Sequence, residues 1–552
     1  MRKTIRELTR HFFARFFEND VVQSGDDMQT TVARALAVMA APGLMFAFWL
    51  QNEYPRRATW GRIEDEYFFV MFSFVAMAGV AIFEWEMLFP DRLDFIVLSP
   101  LSLQAWELAT AKALALAIFL GFFLAGANVF GVLMLPAVSH GDFARQFVAH
   151  AVAVSSAGIF GALAVMLLGG VLLCVLPLRS FRVVSLVLRM LAVAALALLV
   201  IHYARFGDGM QGLLENGGER VRWLPTFWFV GLYQVVQHGD RAPSFAYTMM
   251  HRADVALGVS VLAVLMIYPA AWKRMRRAAI EEEVSQTQKG ADWKSSVVHG
   301  LVRRPEERAV VHFIGQTMAR NSRYHVYMAI YFGTGLALAI SCATRVRIVA
   351  GVPDATLSRF GLHAVMPLLV FWTVAGLKMA FGFPLQLQAR WIFRLAGARL
   401  EICVAAVRKW ALGFGVGVVL VVFAVLLCAR CVGRELLVEA VCGACLCFVM
   451  VDGFFFAQTG VPFSQPRRPG RTSLPLILTL YLGVLTPFLF GMVFLELKME
   501  RNLWLLLPAV AVVPALHWIL GRLRERAVLI EEEREGAGGE FQLLGVSGEL
   551  SA

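Results

Sequence analysis

The hydrophobic residues of this chain fall in long apolar runs separated by short charged stretches. Each run has about twenty residues, the length that an α-helix needs to cross the hydrocarbon core of a bilayer. The pattern predicts about twelve membrane-spanning helices, six in each half of the chain. The predicted spans are 32–50, 67–83, 111–135, 147–176, 184–202 and 253–271 in the first half, and 326–343, 362–382, 410–429, 438–457, 474–495 and 503–520 in the second.

The spacing of the spans indicates an internal repeat. An offset of about 297 residues carries the first three spans onto the seventh, eighth and ninth, and the later spans correspond more loosely. We therefore expect an all-α polytopic membrane protein built from two pseudo-repeated six-helix halves. The expected parts are a cytoplasmic amphipathic segment (1–31), the first half (32–272), a cytoplasmic linker with an amphipathic helix (273–325), the second half (326–520) and a cytoplasmic tail (521–552).

Two further kinds of segment stand out. A basic amphipathic stretch opens each half, with Phe12 and Phe16 beside Arg15 in the first and Ile314 beside Arg308 in the second. Such a stretch before a span is expected to lie in the headgroup layer, and an ordinary solvated helix is the alternative. The segment 205–252, between spans five and six, is too aromatic for a solvated loop. It is interpreted as a re-entrant or interfacial hairpin, or as an aromatic belt anchor.

Composition and charge agree with a membrane protein and suggest its orientation. Hydrophobic residues make up 59% of the chain, against ~45–50% in soluble proteins. The net charge is +11, yet no separate basic domain suited to nucleic acid is present. With a cytoplasmic N terminus, the inside segments carry 31 Lys and Arg residues and the outside segments 16. This bias predicts that both termini are cytoplasmic, and the polar start predicts no cleaved signal peptide. The expected location is the bacterial inner membrane.

The connection between spans two and three contains the most informative motif. Charged residues Asp91, Arg92 and Asp94 precede an apolar stretch that ends at Ser99-Pro100, and Glu107 and Lys112 follow. This pattern resembles the corresponding loop in permease subunits of type-2 ABC exporters. The amphipathic start, the six-span half and the long segment before span six match that family as well.

The resemblance implies a membrane permease that moves a hydrophobic or lipid-like substrate with energy from a separate P-loop ATPase. In the family this loop contacts the ATPase, so Asp91, Arg92, Asp94, Ser99 and Pro100 are the expected contacts. The loop of the second half, which lacks the acidic residues and Ser-Pro, would contribute Gln386, Arg390 and Arg394. Family permeases are usually six-span subunits that dimerise. The chain therefore resembles a fused, diverged pseudo-dimer, with a further homodimer and contacts to membrane lipids left open.

Missing motifs argue against an enzyme in this chain. No Gly-Lys dipeptide occurs, so the sequence has no P-loop to cradle ATP, and ATP would bind only to the partner. Zinc-hydrolase and nucleophile-elbow motifs are absent too. We expect no catalytic residue, cofactor or metal site. The alternatives are a secondary transporter, a non-transporting membrane scaffold and an enzyme acting on lipid-linked substrates. That enzyme would need a carboxylate cluster at the interface, and no convincing one is evident; the pair Asp91 and Asp94 is weak support for a metal-diphosphate site.

Polar and thiol residues in the spans remain to be explained. Lys378 and Asp452 are the charged candidates inside the membrane, expected to make a structural contact with each other or to sit at the interface rather than to relay protons. His363 and His517 receive less weight. The pairs Cys428/Cys431 and Cys442/Cys445, with Cys447 nearby, are interpreted mainly as small buried residues, with a disulfide or a metal site as alternatives.

Overall fold

The computed structural model describes most of the chain as two compact units. The described residues are 2–17, 28–89, 94, 103–139, 142–216, 223–281, 302, 304–349, 352–382, 400–428, 433–456, 463 and 474–537. The first unit comprises residues 1–289 with 336–358 and 469–471, and the second comprises 290–335, 359–468 and 472–552.

Long helices dominate the first unit. They are α1 (Arg2–Phe17), α2 (Met28–Glu53), α3 (Thr59–Phe83), α4 (Ala105–Val138), α5 (Phe143–Val175), α6 (Leu178–Ile201), α7 (Pro225–His238) and α8 (Ser244–Glu281). Local chemistry explains several boundaries. Gln104 and Glu107 form a reciprocal capping box at the start of α4, and the Asp142 side chain accepts a hydrogen bond from the Ala144 amide at the start of α5.

The core of the first unit is built on close contact between α3, α4 and α5. Ser73 donates a hydrogen bond to the Val154 carbonyl at 2.7 Å and accepts one from Asn128 Nδ2 at 2.9 Å, so one buried hydroxyl joins all three helices. Small residues let the helix backbones approach closely. Such packing is common in membranes, because lipid tails are as apolar as the side chains and the hydrophobic effect does not drive helices together. At Gly161, an added Cβ would lie 2.7 Å from the Phe74 carbonyl oxygen.

Helix α7 supports the hairpin interpretation of the segment before α8. Phe227, Phe229 and Tyr233 are buried in the core of the first unit, whereas residues of an aromatic belt would face lipid and headgroups. The helix ends at Gly239, whose φ of +56° is a left-handed conformation that glycine adopts at low cost. The chain then turns directly into α8, which packs along α7.

A two-stranded antiparallel sheet was not expected from the sequence. Strands β1 (Thr344–Val349) and β2 (Val352–Leu357) pair from Thr344 opposite Leu357 to Val349 opposite Val352. Ile348 packs against the first unit's core beside Gly209. Val346 and Ile348 alternate with arginines in β1, which is the period of a strand. The alternation is much shorter than a membrane span, so the pattern of apolar runs did not predict it.

The second unit is also helical. Its long helices are α9 (Pro305–Arg320), α10 (Ser322–Ala343, which belongs to this unit up to residue 335), α11 (Val365–Phe381), α12 (Leu400–Cys428), α13 (Arg434–Phe454), α14 (Leu474–Arg501) and α15 (Leu506–Ala537). Trp372 of α11 is completely buried against Tyr331 of α10, with ring centroids 5.7 Å apart. Helix α13 packs on α11, α12, α14 and α15 and is the central helix of the unit.

These helices make the chain a mainly α-helical, multi-pass membrane protein. Within the described residues, eleven helices are long and apolar enough to cross a bilayer, and the predicted first span corresponds to a shorter apolar helix, Ala35–Gln51. Both amphipathic segments are helices. Their apolar faces are buried, Phe12 and Phe16 of α1 against α4 and Ile314 of α9 in the second unit. They are therefore packed against the helix bundle rather than freely solvated.

Candidate functional sites

Asp94 is the described member of the predicted ATPase-contact loop. Asp91, Arg92, Ser99 and Pro100, together with Gln386, Arg390 and Arg394 of the second half, lie outside the described residues. The Asp94 side chain is buried, with 1% of its surface exposed. Its carboxylate therefore faces the interior of the chain and is not offered to a partner in this conformation.

Two basic residues from different helices hold the Asp94 carboxylate. Lys112 of α4, itself 2% exposed, donates from Nζ to Oδ2 at 2.5 Å. Arg15 of α1 forms an ion pair with Oδ1. Helix α1 is fixed further by stacking of Phe16 on Phe119 of α4, with centroids 4.7 Å apart. One buried carboxylate thus ties the loop after α3 to both the amphipathic helix and α4.

The second unit contains a related arrangement. Lys409 of α12 forms an ion pair with Glu307 of α9, a glutamate only 4% exposed. Helix α9 packs on α12 in the second unit, as α1 packs on α4 in the first. Lys409 follows Lys112 by 297 residues, the offset that relates the first spans of the two halves. In the second unit the lysine pairs directly with the amphipathic helix, whereas in the first unit Lys112 pairs with Asp94, which in turn pairs with Arg15 of α1.

Asp452 lies in a basic cluster. It is 3% exposed, forms an ion pair with Arg408 of α12 and a hydrogen bond with Nδ1 of His517 of α15 at 2.7 Å, and lies 3.8 Å from the Arg524 guanidinium of α15. Two cavities of about 140 and 200 Å³ adjoin the cluster and share Arg408 in their walls. Asp452 is thus a buried ion partner rather than an interfacial residue. The Lys378 ammonium lies over the Phe455 ring, 5.4 Å from its centroid.

The structure reveals a His–Glu cluster that the sequence interpretation missed. His363, just before α11, meets Glu439 of α13 and Glu496 of α14, and all three side chains are buried. Its Nδ1 lies 2.9 Å from Glu439 Oε1 and 3.6 Å from Glu496 Oε2. The expectation that His363 carries little weight is therefore corrected.

Further charged residues lie beside these three. Glu500 Oε2 lies 3.4 Å from His363 Nε2, and Glu500 Oε1 accepts from Arg359 at 2.8 Å. Arg359 also forms an ion pair with Glu435. The signal in the sequence was the repeated spacing Glu435/Glu439 and Glu496/Glu500, which places each pair on one helix face at the end of an apolar run. Nothing local in the sequence shows that the two helix ends meet.

The first unit has a buried acidic pair near the start of α3. Asp65 is fully buried with Arg57 at 3.0 Å, and Glu66 accepts a hydrogen bond from Gln234 of α7. Burial, followed by the nearby charges of Glu66 and Asp65, raises the pKa of the Tyr54 phenol well above its ordinary value. The burial of these two acids was not predicted, because the predicted span begins after them, at Tyr67.

The described cysteines are free thiols. They are Cys174, Cys342, Cys403, Cys428, Cys442, Cys445 and Cys447. Cys431, one member of the predicted pairs, lies outside the described residues. Cys442 is buried beside Met499, with the two sulfur atoms 3.5 Å apart, and packs among apolar residues of α13 and α14. This environment is that of a small hydrophobic residue.

Comparisons with known proteins provide no relative for this chain: no family model, curated protein or solved structure matches it.

Proposed function

We propose that the chain is the membrane permease of an ATP-driven exporter, energised by a separate P-loop ATPase subunit that docks on the loop after α3. The observation that carries the proposal is the buried Asp94, which links this loop to α1 and α4. A loop that receives force from a partner must transmit it to the helices. A buried carboxylate with two basic partners couples three segments more rigidly than a solvated connection would.

The correspondence between the halves supports a fused two-half permease. Lys112 and Lys409 occupy equivalent positions, and each is paired with an acidic residue beside an amphipathic helix. The acidic partners differ, because Asp94 comes from the loop and Glu307 from the amphipathic helix itself. This difference agrees with the missing acidic motif around Gln386 and supports a stronger ATPase contact on the first half.

Sequence motifs and the distribution of apolar and basic residues support the proposed energy source, substrate class and orientation. Without a Gly-Lys phosphate loop the energy source is a partner subunit. The spans are mostly apolar, which suits a hydrophobic or lipid-like substrate. The excess of basic residues in alternate loops favours an inner membrane with cytoplasmic termini.

Charge reversal in the loop tests this function. We expect Asp91→Lys to abolish co-purification of a P-loop ATPase from the native host, because a mismatched charge at a protein interface costs several kcal/mol. Asp91 is preferred to Asp94, whose reversal would also break the internal ion pairs with Arg15 and Lys112. The measurement is the stoichiometry of the ATPase by mass spectrometry, together with ATP hydrolysis by the purified complex.

Gln386→Lys is the matched control in the second half and should retain the ATPase. Both variants should elute as the wild type does in size-exclusion chromatography, which separates a lost interface from misfolding. The permease proposal fails if the wild type retains no P-loop ATPase under cross-linking conditions, or if Asp91→Lys retains as much ATPase as the wild type.

A further inference from the structure

We infer that His363, Glu439 and Glu496 form a binding site for a divalent transition-metal cation of the zinc class, with Glu500 orienting the histidine. The site lies within the second unit and is independent of the proposed ATPase contact. Its donors come from the residues before α11, the second turn of α13 and the second-last turn of α14.

The spacing of the donor atoms fits one small cation. A ring nitrogen of His363 and a carboxylate oxygen from each glutamate all lie within 4.8 Å of one another. Nδ1 of His363 is 2.9 Å from Glu439 Oε1 and 3.6 Å from Glu496 Oε2. Zinc binds imidazole and carboxylate at about 2.0–2.2 Å, which places neighbouring donors about 3.3–3.6 Å apart in a tetrahedron. Shifts of a few tenths of an ångström would bring the three donors onto one ion and leave a fourth position open.

The surroundings of His363 also resemble a metal site. A metal-bound histidine usually donates its other ring N–H to a carboxylate, which fixes the tautomer and the ring orientation. Glu500 occupies that place, 3.4 Å from Nε2, and Arg359 anchors Glu500 from the far side. The Cys442–Met499 contact belongs to an adjacent apolar cluster on the same two helices.

Glu496 provides an independent reason to place a cation here. Its side chain is fully buried, and neither carboxylate oxygen has a hydrogen-bond partner in the described structure; Oε2 of Glu439 lacks one as well. Buried carboxylates are normally paired or coordinate metals. Arg359 forms its ion pairs with Glu435 and Glu500, not with these oxygens of Glu439 and Glu496. A divalent cation among the three donors would satisfy Glu439 and Glu496 together.

A small cavity adjoins two of the three donors, His363 and Glu439. The cavity, of about 10 Å³, is lined by His363, Glu439, Leu426 and Leu436, with Arg359 and Glu435. This volume holds about one water molecule. A bound cation would brace the ends of α13 and α14 against the start of α11. We therefore assign the site a stabilising role for this end of the second unit.

Zinc titration of the full-length protein tests the assignment. The protein is purified with a peptide tag that lacks histidine, stripped with chelator and titrated with Zn²⁺ in detergent, with bound metal measured by mass spectrometry after desalting. We expect one tightly bound Zn²⁺ per chain and a higher melting temperature with the metal. Glu496→Gln, which keeps the shape of the side chain, should lower the affinity at least 100-fold. Glu500→Gln should lower it about 10–100-fold through the histidine.

Two control variants keep the outcomes separable. Glu435→Gln lies one helical turn before Glu439, contacts Arg359 and should bind Zn²⁺ as the wild type does. Replacing Cys428, Cys431, Cys442 and Cys445 with serine should also leave the stoichiometry unchanged. If Glu496→Gln misfolds, His363→Gln and Glu439→Gln provide the same test. The assignment is overturned by absence of stoichiometric Zn²⁺ in the wild type, by unchanged binding in folded Glu496→Gln, or by loss of zinc in the cysteine variant alone.

Discussion

Single residues determine how closely the helices of the first unit approach. Gly161 of α5 faces the backbone of α3, where a methyl group would meet the Phe74 carbonyl oxygen at 2.7 Å. A backbone atom cannot move aside as a flexible side chain can. Gly121 of α4, by contrast, has no atom within 4 Å of the place where its Cβ would lie.

We therefore expect Gly161→Ala to destabilise the protein by about 1–3 kcal/mol relative to Gly121→Ala, the range typical of overpacking. Both substitutions gain the same helix propensity. The difference in stability between the two variants therefore reports the steric clash alone. Thermal unfolding in detergent, followed by tryptophan fluorescence, provides the measurement. Equal melting temperatures for the two variants would mean that α3 and α5 are less closely packed than the structure indicates.

At the scale of elements, Lys112 of α4 helps to attach α1 through Asp94, which also pairs with Arg15 of α1. Lys112 lies among apolar residues and beneath the Phe12 ring, 5.5 Å from its centroid, while it pairs with Asp94. Removing one member of a buried ion pair leaves an uncompensated charge and is far more costly than removing both. The amphipathic helix and the loop after α3 should therefore loosen together when this lysine is lost.

Lys112→Met should destabilise the first unit by about 3–5 kcal/mol, and adding Asp94→Asn should recover a large part of that loss. Arg15 is partly exposed and can reach water once Asp94 is neutral. Limited proteolysis around residues 18–27 reports whether α1 has detached, and thermal unfolding gives the stability change. A double variant as unstable as Lys112→Met alone would show that the ion pair is not the source of the effect.

At the scale of the whole molecule, the basic loops predict one orientation for all helices. In that orientation the linker 273–325 is cytoplasmic and the β1–β2 turn is on the outside, because α10 crosses the membrane between them. His363, Glu439 and Glu496 then share the outer face, since the chain enters α11 and α13 and leaves α14 on the side of that turn.

Reporter fusions at residues 290 and 351 should therefore give opposite signals, cytoplasmic at the first and periplasmic at the second. Two reporter enzymes are fused at each position, one active only in the cytoplasm and one active only in the periplasm. Each location is then indicated by the activity of one reporter and not only by the absence of a signal. Signals from the same side at both positions would show that no membrane span separates them and would contradict the two-half arrangement.

The sequence by itself determined the class of the protein and the position of most elements. Long apolar runs specify membrane helices because insertion depends on hydropathy within one continuous segment. The predicted eighth span, 362–382, and the apolar helical segment Arg359–Phe381, which includes α11, differ by only a few residues. The amphipathic helices α1 and α9 were recognised for a similar reason, since their periodicity is contained in a few turns.

Only the tertiary structure decided which polar groups meet. Asp94 was singled out as a partner contact, but packing turns it toward Lys112 and toward Arg15, 79 residues away. His363 finds Glu439 across 76 residues, and Glu496 comes from a further helix. Hydropathy describes each run alone, whereas a buried charge is stabilised by groups on other helices. The physical need to compensate charge in a low-dielectric interior is visible in the sequence, but the compensating group is chosen by how the helix ends pack.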